Sequence, residues 1–469
     1  MIKEIFKKLP YPIRELKEII GGKDIQLWLY GETVCELCFT DIMPRHYQLA
    51  TTLTKDYILN KLDIHVSEVH SNNNDLILFY QEGKYHPLNK DFLPDNIKEN
   101  YYIEISCVEA DFVDKLKSQP ISVDQIAWDF NEFFNTEQLI KDFETNCLKI
   151  YNDDRESIFS NLLNLFKLSR YLIKFSIPDR KLASPVVETL NNKQDNKKIV
   201  SNYFWKREFI KILELSKPSE CFELLREWNI LSQVLSELIE GYNVVQNKYH
   251  EYDVYYHGLS TCDAASVEEP IIRLAGLLHD IGKPRSKRII QKELSETSQN
   301  VFYDHENIGA RMAYQVLRRF GFTHSTVTNV TKLVRLHMFH YTTEWTDNAV
   351  RRFLRKANID LNKLFKLRNA DRLGSGKKDG DSKAIQNLER RIKEIQEIDN
   401  RLTVKDLNIN GHDIMTHFSL QPGPIVGNLL NYLLEIVVED SSKNKKDVLL
   451  SYAENWLKNK SLLMSQKAI

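Results

Sequence analysis

The stretch IIRLAGLLHDIGKP, running from Ile271 to Pro284, is an apolar helical run that ends on two adjacent metal-capable side chains, His279 and Asp280. Leu277 and Leu278 pack such a helix and hold the pair rigidly. An imidazole nitrogen and a carboxylate oxygen side by side can bind a single cation jointly. Gly282 ends the helix, and Lys283 follows where it can meet an anionic phosphate. Taken alone, a helical His-Asp pair is more often a hydrogen-bonded surface or core pair than a ligand set. Its surroundings decide otherwise. Thirteen histidines occur in the chain and seven of them fall between His250 and His340, a clustering that helical periodicity does not require.

Working outward, His257 lies in DVYYHGLSTCDAA at the start of another helical pattern, and Asp371 lies in LRNADRLGSG near a helix end. His257, His279, Asp280 and Asp371 make an H, HD, D set of metal ligands. The set resembles the signature of the HD phosphohydrolase superfamily. That resemblance implies a divalent metal (Mn, Ni, Mg, Fe or Zn) that activates water for in-line attack on phosphorus. Asp280 would hold the metal and orient the water, and Lys283 or a nearby arginine would neutralise the developing charge. His305 in FYDHENIGA and His337 and His340 in LVRLHMFHY are candidates for a second metal or for phosphate contact, with support of a ligand through a hydrogen bond as the alternative. Arg351 and Arg352 read as phosphate contacts or, more simply, as a solvated helix face.

A chain of 469 residues exceeds one ordinary core, so several domains are expected. Short β-rich runs (IQLWLYG, LDIHVSEV, DLILFYQ, YYIEISCVE) interleave with helical stretches up to about residue 110, and Ser71 to Asp75 reads as a turn. From about Asp129 onward the pattern is helical. The expected fold class is α+β: a small mixed α/β head at 1–145, a helical neck at 146–250, a helical HD domain at 251–400 and a C-terminal helical region at 401–469. Polar breakers at 190–199 and 374–382 mark loops or linkers. A formal net charge of −1 means that any grip on nucleic acid must come from local basic patches. The six scattered cysteines do not form a dense secreted framework, and Cys35-Glu-Leu-Cys38 lacks the second pair of a zinc site. With no signal-peptide pattern and no membrane-length apolar run, a cytoplasmic location is expected.

The segments DVYYHGLSTCDAA, LAGLLHDIGKP, FYDHENIGARMAYQVLRRF, LVRLHMFHY, WTDNAVRRFLRK and LFKLRNADRLGSG resemble, in that order, the HD domain of bacterial CCA-adding tRNA nucleotidyltransferases. LNINGHDIM, QPGPIVGNLL and LLEIVVED resemble that family's C-terminal helices. The resemblance implies an N-terminal nucleotidyltransferase head with a Gly-Gly and Arg-Asp loop, a paired Asp-x-Asp holding two magnesium ions, and a third acidic residue. Here LYGETVCEL keeps Gly31 but presents Glu32, Cys35 and Glu36. MPRHYQLAT offers His46 and Gln48 in place of the two aspartates, and Glu104 in YYIEISCVE occupies the third position. AWDFN retains Asp129, with Asn131 for threonine and both arginines of the family element gone. Neutral Gln48 supplies no carboxylate and His46 is a poor magnesium ligand.

Three readings follow. The first is a metal-dependent HD phosphohydrolase, a phosphodiesterase or phosphatase on nucleotides or RNA 3′ ends, carrying an inactive nucleotidyltransferase-like head. The second is an active CCA- or A-adding tRNA or RNA nucleotidyltransferase. The third is a non-catalytic RNA-binding protein gripping a backbone through cations such as Lys197, Lys198 and Lys206. A nucleotide or an RNA such as tRNA is the expected partner.

Overall fold

The structure is a computed structural model. It describes residues 2–21, 25–40, 43–44, 46–64, 75–81, 84–87, 101–148, 162–178, 202–246, 251–291, 298–357, 360–376, 383–401 and 403–466. The expected 190–199 linker, the Ser71 to Asn74 turn, Lys197 and Lys198 lie outside them. No helix among the described residues is long and apolar enough to cross a membrane.

The fold class is α+β. A mixed sheet at the N-terminus has the strand order β4-β3-β5-β2-β1-β6-β7, and its helical companions make up most of the rest. Strands β1 (Leu27–Tyr30), β2 (His46–Thr51) and β5 (Tyr101–Cys107) form its centre; β2 and β5 run parallel, and β1 and β2 antiparallel. Strand alternation gives β2 two faces: Tyr47 and Leu49 are fully buried, while His46 and Gln48 face the other way, with Gln48 in register with Glu104. Strand β3 (Asp75–Gln81) pairs with β5 and with β4 (Lys84–Pro87), while β6 (Ala127–Trp128) and β7 (Phe133–Phe134) extend the other edge. Of the sequence expectations, IQLWLYG, DLILFYQ and YYIEISC form strands, whereas Leu62 to Ile64 of LDIHVSEV do not and its remainder lies outside the described residues. The reading also missed β2 itself.

The chain divides into two compact units, Met1–His337 with Lys366–Lys378, and Met338–Phe365 with Asp379–Ile469. In the first, the helix Val254–Ala264 starts on Asp253, whose carboxylate accepts the Tyr256 N–H at 2.8 Å. It packs unusually closely on the helix Pro270–Leu278. A Cβ at Gly258 would sit 3.1 Å from the Leu277 carbonyl oxygen, and one at Gly276 would sit 3.1 Å from Thr261 Cγ2. Small residues at the crossing thus bring the neighbouring side chains His257 and His279 within reach of each other. The almost wholly helical pattern expected from about Asp129 onward is interrupted by β7 and, among the described residues, once more beyond it. A hairpin of β8 (Lys287–Gln291) and β9 (Ser298–Phe302) follows the HDIGKP stretch.

The second unit has its own cores. Val350, Phe365, Leu388, Ile392 and Ile395 form one, and Ile409, Ile414, Leu429, Leu433 and Leu449 belong to another. Its helix Gly411–Phe418 begins with a capping box between Asn410 and Asp413. The chain's other His-Asp dipeptide, His412-Asp413, is therefore part of a helix start.

A candidate metal centre and a self-paired sheet edge

Four imidazoles and two carboxylates converge in the first unit. His257 comes from the 254–264 helix, and His279 and Asp280 follow the end of the 270–278 helix. His305 opens the helix His305–Arg319, His337 closes the helix His324–Leu336, and Asp371 sits in the last turns of Leu361–Gly374. Gly282 is needed for this convergence, because a Cβ there would lie 2.2 Å from the His305 carbonyl oxygen and 2.5 Å from the Gly309 nitrogen. Any side chain at 282 would push the His305 turn away from Asp280.

The arrangement about Asp280 is bilateral. Its Oδ2 lies 3.2 Å from His279 Nε2 and 3.5 Å from His257 Nε2, while its Oδ1 lies 3.4 Å from His305 Nε2 and 3.5 Å from His337 Nε2. Asp371 Oδ1 closes the first side, 3.1 Å from His257 Nε2 and 3.7 Å from His279 Nε2. Two ligand groups result, one of His257, His279 and Asp280 and one of Asp280, His305 and His337, sharing a single carboxylate.

Each ring is turned the same way. His279 Nδ1 lies 2.7 Å from the Gly276 carbonyl, His305 Nδ1 2.7 Å from that of Phe302, His337 Nδ1 2.6 Å from that of Val334, and His257 Nδ1 3.2 Å from that of Gly374. A carbonyl only accepts, so each Nδ1 carries the proton and, in the neutral ring, each Nε2 presents a lone pair to the centre. His257 Nε2 and His279 Nε2 face one another at 3.2 Å. Asp280 Oδ1, His305 Nε2 and His337 Nε2 are buried atoms with no hydrogen-bond partner among the described residues. Buried acceptors aimed at one another are costly unless positive charge stands between them, so this donor set fits a cation.

The electrostatics agree. Burial alone would raise the Asp280 pKa, but His279 and Lys283 hold it well below the usual carboxylate range. Asp371 is likewise lowered despite its burial, by the adjacent His257 and His279 imidazoles and by Arg368. Burial works against charge on His279, yet Asp280 and Asp371 outweigh it and raise its pKa, whereas burial prevails at His337 and lowers it. Lys283 is at the centre, but its Nζ bonds to Asp280 Oδ2 at 2.5 Å and Gln246 Oε1 at 2.6 Å. His340 is exposed, falls in the second unit and is not one of the grouped ligands. Arg351 and Arg352 also belong to the second unit, where Arg351 donates to Asn348.

The sheet presents a different picture. His46, Gln48 and Glu104 do come together, with His46 Nε2 3.5 Å from Glu104 Oε2. The acidic residues there already have cationic partners from the helices Leu162–Lys174 and Asn202–Leu213. Arg207 Nη1 donates to both Glu104 oxygens at 2.9 and 3.0 Å, and Arg170 bridges Glu32 and Glu208. Lys174 meets Glu32 at 2.7 Å and also pairs with Glu36, and Lys211 reaches Glu32 at 2.9 Å. Burial raises the Glu208 pKa but Arg170, Lys211 and Arg207 bring it down to about 2. Glu32 is also held well below its ordinary value against burial, chiefly by Arg170, while burial raises Glu36 and drives His46 well down. His46 is neutral here, and the carboxylates are committed to arginine and lysine.

Sequence reading missed the four cations. Their signal was the reciprocal four-residue spacing of Glu32 and Glu36, Arg170 and Lys174, and Arg207 and Lys211. Asp129 serves a turn, its Oδ1 accepting the Asn131 and Glu132 N–H groups. Burial pushes the Cys35 thiol well up and Cys38 to about 11, which leaves neither as a ready thiolate ligand. Lys206 is 3% exposed and offers no surface grip on RNA.

A family model described as tRNA nucleotidyltransferase domain 2 matches residues 295–453. The A-adding tRNA nucleotidyltransferase of Deinococcus radiodurans is 29% identical over 219 residues, covering 45% of this chain and 48% of that protein. The CC-adding tRNA nucleotidyltransferase of Thermus thermophilus is 29% identical over 251 residues, covering 52% and 54%. The chain spans about half the length of these curated relatives. The crystal structure of the Bacillus stearothermophilus CCA-adding enzyme in complex with CTP covers 97% of this chain and 99% of its own at 14% identity, with a TM-score of 0.50, which places the two in one fold.

Proposed function

We propose that this chain, a member of the family of bacterial CCA-adding tRNA nucleotidyltransferases and poly(A) polymerases, is an enzyme of tRNA or related RNA 3′ ends whose reacting centre is the histidine–aspartate cluster, where it hydrolyses phosphate esters. The observation that carries this reading is the bilateral Asp280 carboxylate, each oxygen facing two imidazole nitrogens whose other nitrogens are tied to backbone carbonyls. His257, His279, Asp280 and Asp371 would hold one divalent ion, and Asp280 with His305 and His337 a second. Four nitrogens and two carboxylates suit Mn, Fe, Ni or Zn better than Mg, which prefers oxygen. A bound ion would supply an acidified water and a Lewis acid for the phosphoryl oxygens. The chain's own residues do the rest. The carbonyls of Gly276, Phe302 and Val334 fix the imidazole orientations, and Arg368, 2.6 Å from Asp371 Oδ2, turns Oδ1 inward. Lys283, steered by Gln246, places an ammonium beside the centre to offset charge on a phosphate.

A second reading is nucleotidyl transfer, and the relatives' names favour it over hydrolysis: both curated relatives add nucleotides to tRNA. The pairing of Glu32, Glu36, Glu104 and Glu208 with helix cations weighs against that chemistry at the sheet. One experiment separates the two. Metal-supplemented protein and an Asp280→Ala variant are given bis-p-nitrophenyl phosphate and 2′,3′-cyclic AMP, and in parallel labelled CTP and ATP with tRNA. Hydrolysis that the variant loses, with no label incorporated, is expected. Incorporation that survives Asp280→Ala, without hydrolysis, would transfer the working centre to the sheet.

A further inference from the structure

The hairpin of β8 and β9 is rooted in the metal centre at both ends. Its first strand continues directly from the short helix Lys283–Ser286, whose Lys283 is bonded to Asp280. Its second strand ends at Phe302, whose carbonyl is 2.7 Å from His305 Nδ1. The register pairs Lys287 with Phe302, and opposed residues of an antiparallel pair project from the same face. That face is the one turned to the site, because the Phe302 ring centroid lies 5.8 Å from Lys283 Nζ. Phe302 is half-buried and Lys287 is exposed. Among the described residues Lys287 has no ion-pair partner, whereas nearby Arg285 is engaged by Glu240 at 2.6 Å. A buried cation at the centre, a half-buried aromatic ring beside it and an exposed second cation across from that ring thus run outward from the site.

We propose that this surface is a subsite for the penultimate nucleotide of a single-stranded RNA 3′ end: Lys287 takes the internucleotide phosphate and the Phe302 ring stacks under base or ribose. The inference rests on the reading of the histidine–aspartate centre as a phosphate-ester site. A base presents a π-face whatever its identity, so a lone ring selects for a nucleotide without selecting its sequence. A lysine acts on the neighbouring phosphate as a point charge, with a salt-dependent contribution. The pair thus discriminates a strand from a mononucleotide.

The test compares wild-type protein with Lys287→Glu, Phe302→Ala and Phe302→Tyr. Turnover is measured on a dinucleotide ending in a 2′,3′-cyclic phosphate and on the corresponding mononucleoside cyclic phosphate, and binding of a fluorescein-labelled dinucleotide 3′-phosphate is followed by anisotropy in manganese. Lys287→Glu is expected to lower the dinucleotide-to-mononucleotide ratio of kcat/KM by about tenfold and to flatten the salt dependence of binding. Phe302→Ala is expected to weaken binding by about tenfold, and Phe302→Tyr to restore it. A Lys287→Glu protein that keeps both the wild-type ratio and the wild-type affinity would overturn the subsite. If the wild type turns over neither compound, the hydrolase reading fails on its own, and the anisotropy comparison still decides the hairpin.

Discussion

Loading of the histidine–aspartate centre should be visible as heat stability before any substrate is known. The perturbation is Asp280→Asn, which keeps volume and shape but removes the shared carboxylate at the middle of the six ligands. A ligand that binds only folded protein stabilises it by about 2.7 kcal/mol at a free concentration a hundredfold above its Kd. Unfolding entropy of about 2.1 cal/mol/K per residue, over a unit of roughly 350 residues, converts this into a rise of about 4 °C in Tm for each ion. Two ions give roughly 7 °C. The assay is differential scanning calorimetry of chelator-stripped protein across added Mn, Ni, Zn and Mg, with metal content read by inductively coupled plasma mass spectrometry. Wild type should bind about two ions, His337→Gln about one with about half the shift, and Asp280→Asn close to none. A wild-type Tm indifferent to every metal would refute the argument from converging lone pairs. An Asp280→Asn protein that loads and shifts as the wild type does would refute the bridging role of Asp280.

The sheet's charge network makes two further predictions. Arg170→Met removes the guanidinium that joins Glu32 and Glu208, leaving buried carboxylates short of a partner, and should lower the stability of the first unit by about 3–5 kcal/mol in urea unfolding followed at its tryptophans; a loss under about 1 kcal/mol would show that Lys174 and Lys211 suffice. Glu32 and Glu208 have folded pKa values below the ordinary 4.5, that of Glu208 about 2, so their contribution is complete above about 4.5 and is lost as pH falls toward 2, with the raised Glu36 acting in the opposite sense. Acid unfolding monitored by circular dichroism should steepen in that window, and the steepening should shrink in Glu208→Gln; an identical profile for the two proteins would remove Glu208 from the account.

The histidine–aspartate cluster was legible in the sequence because its residues announce themselves chemically. His279 and Asp280 end an apolar helix, and His257, His305, His337 and Asp371 each sit at or near the start or the close of a helical run. What local pattern cannot carry is which Asp280 oxygen faces which imidazole, since that depends on the crossing set by Gly258 and Gly276. At the sheet, the residue types at His46, Gln48 and Glu104 were legible, and their strands bring them together. The pairing of the carboxylates there with Arg170, Lys174, Arg207 and Lys211 was hidden, because charges four apart on a helix look the same whether they face water or a buried glutamate. Strand β2 escaped because MPRHYQLAT mixes polar and apolar residues in the way a half-exposed loop does. The hairpin escaped because KRIIQ is short, and short apolar runs read equally as strand or helix.

The order of ligands along the chain has its own consequence. Five of the six come from one continuous stretch ending at His337, but the sixth, Asp371, arrives only after the chain has left for the second unit at Met338 and returned at Lys366. A growing polypeptide therefore carries an open ligand set through the synthesis of that excursion, and the centre closes only on the return. Completion of the six-residue cluster is in this way postponed until part of the second unit has been made.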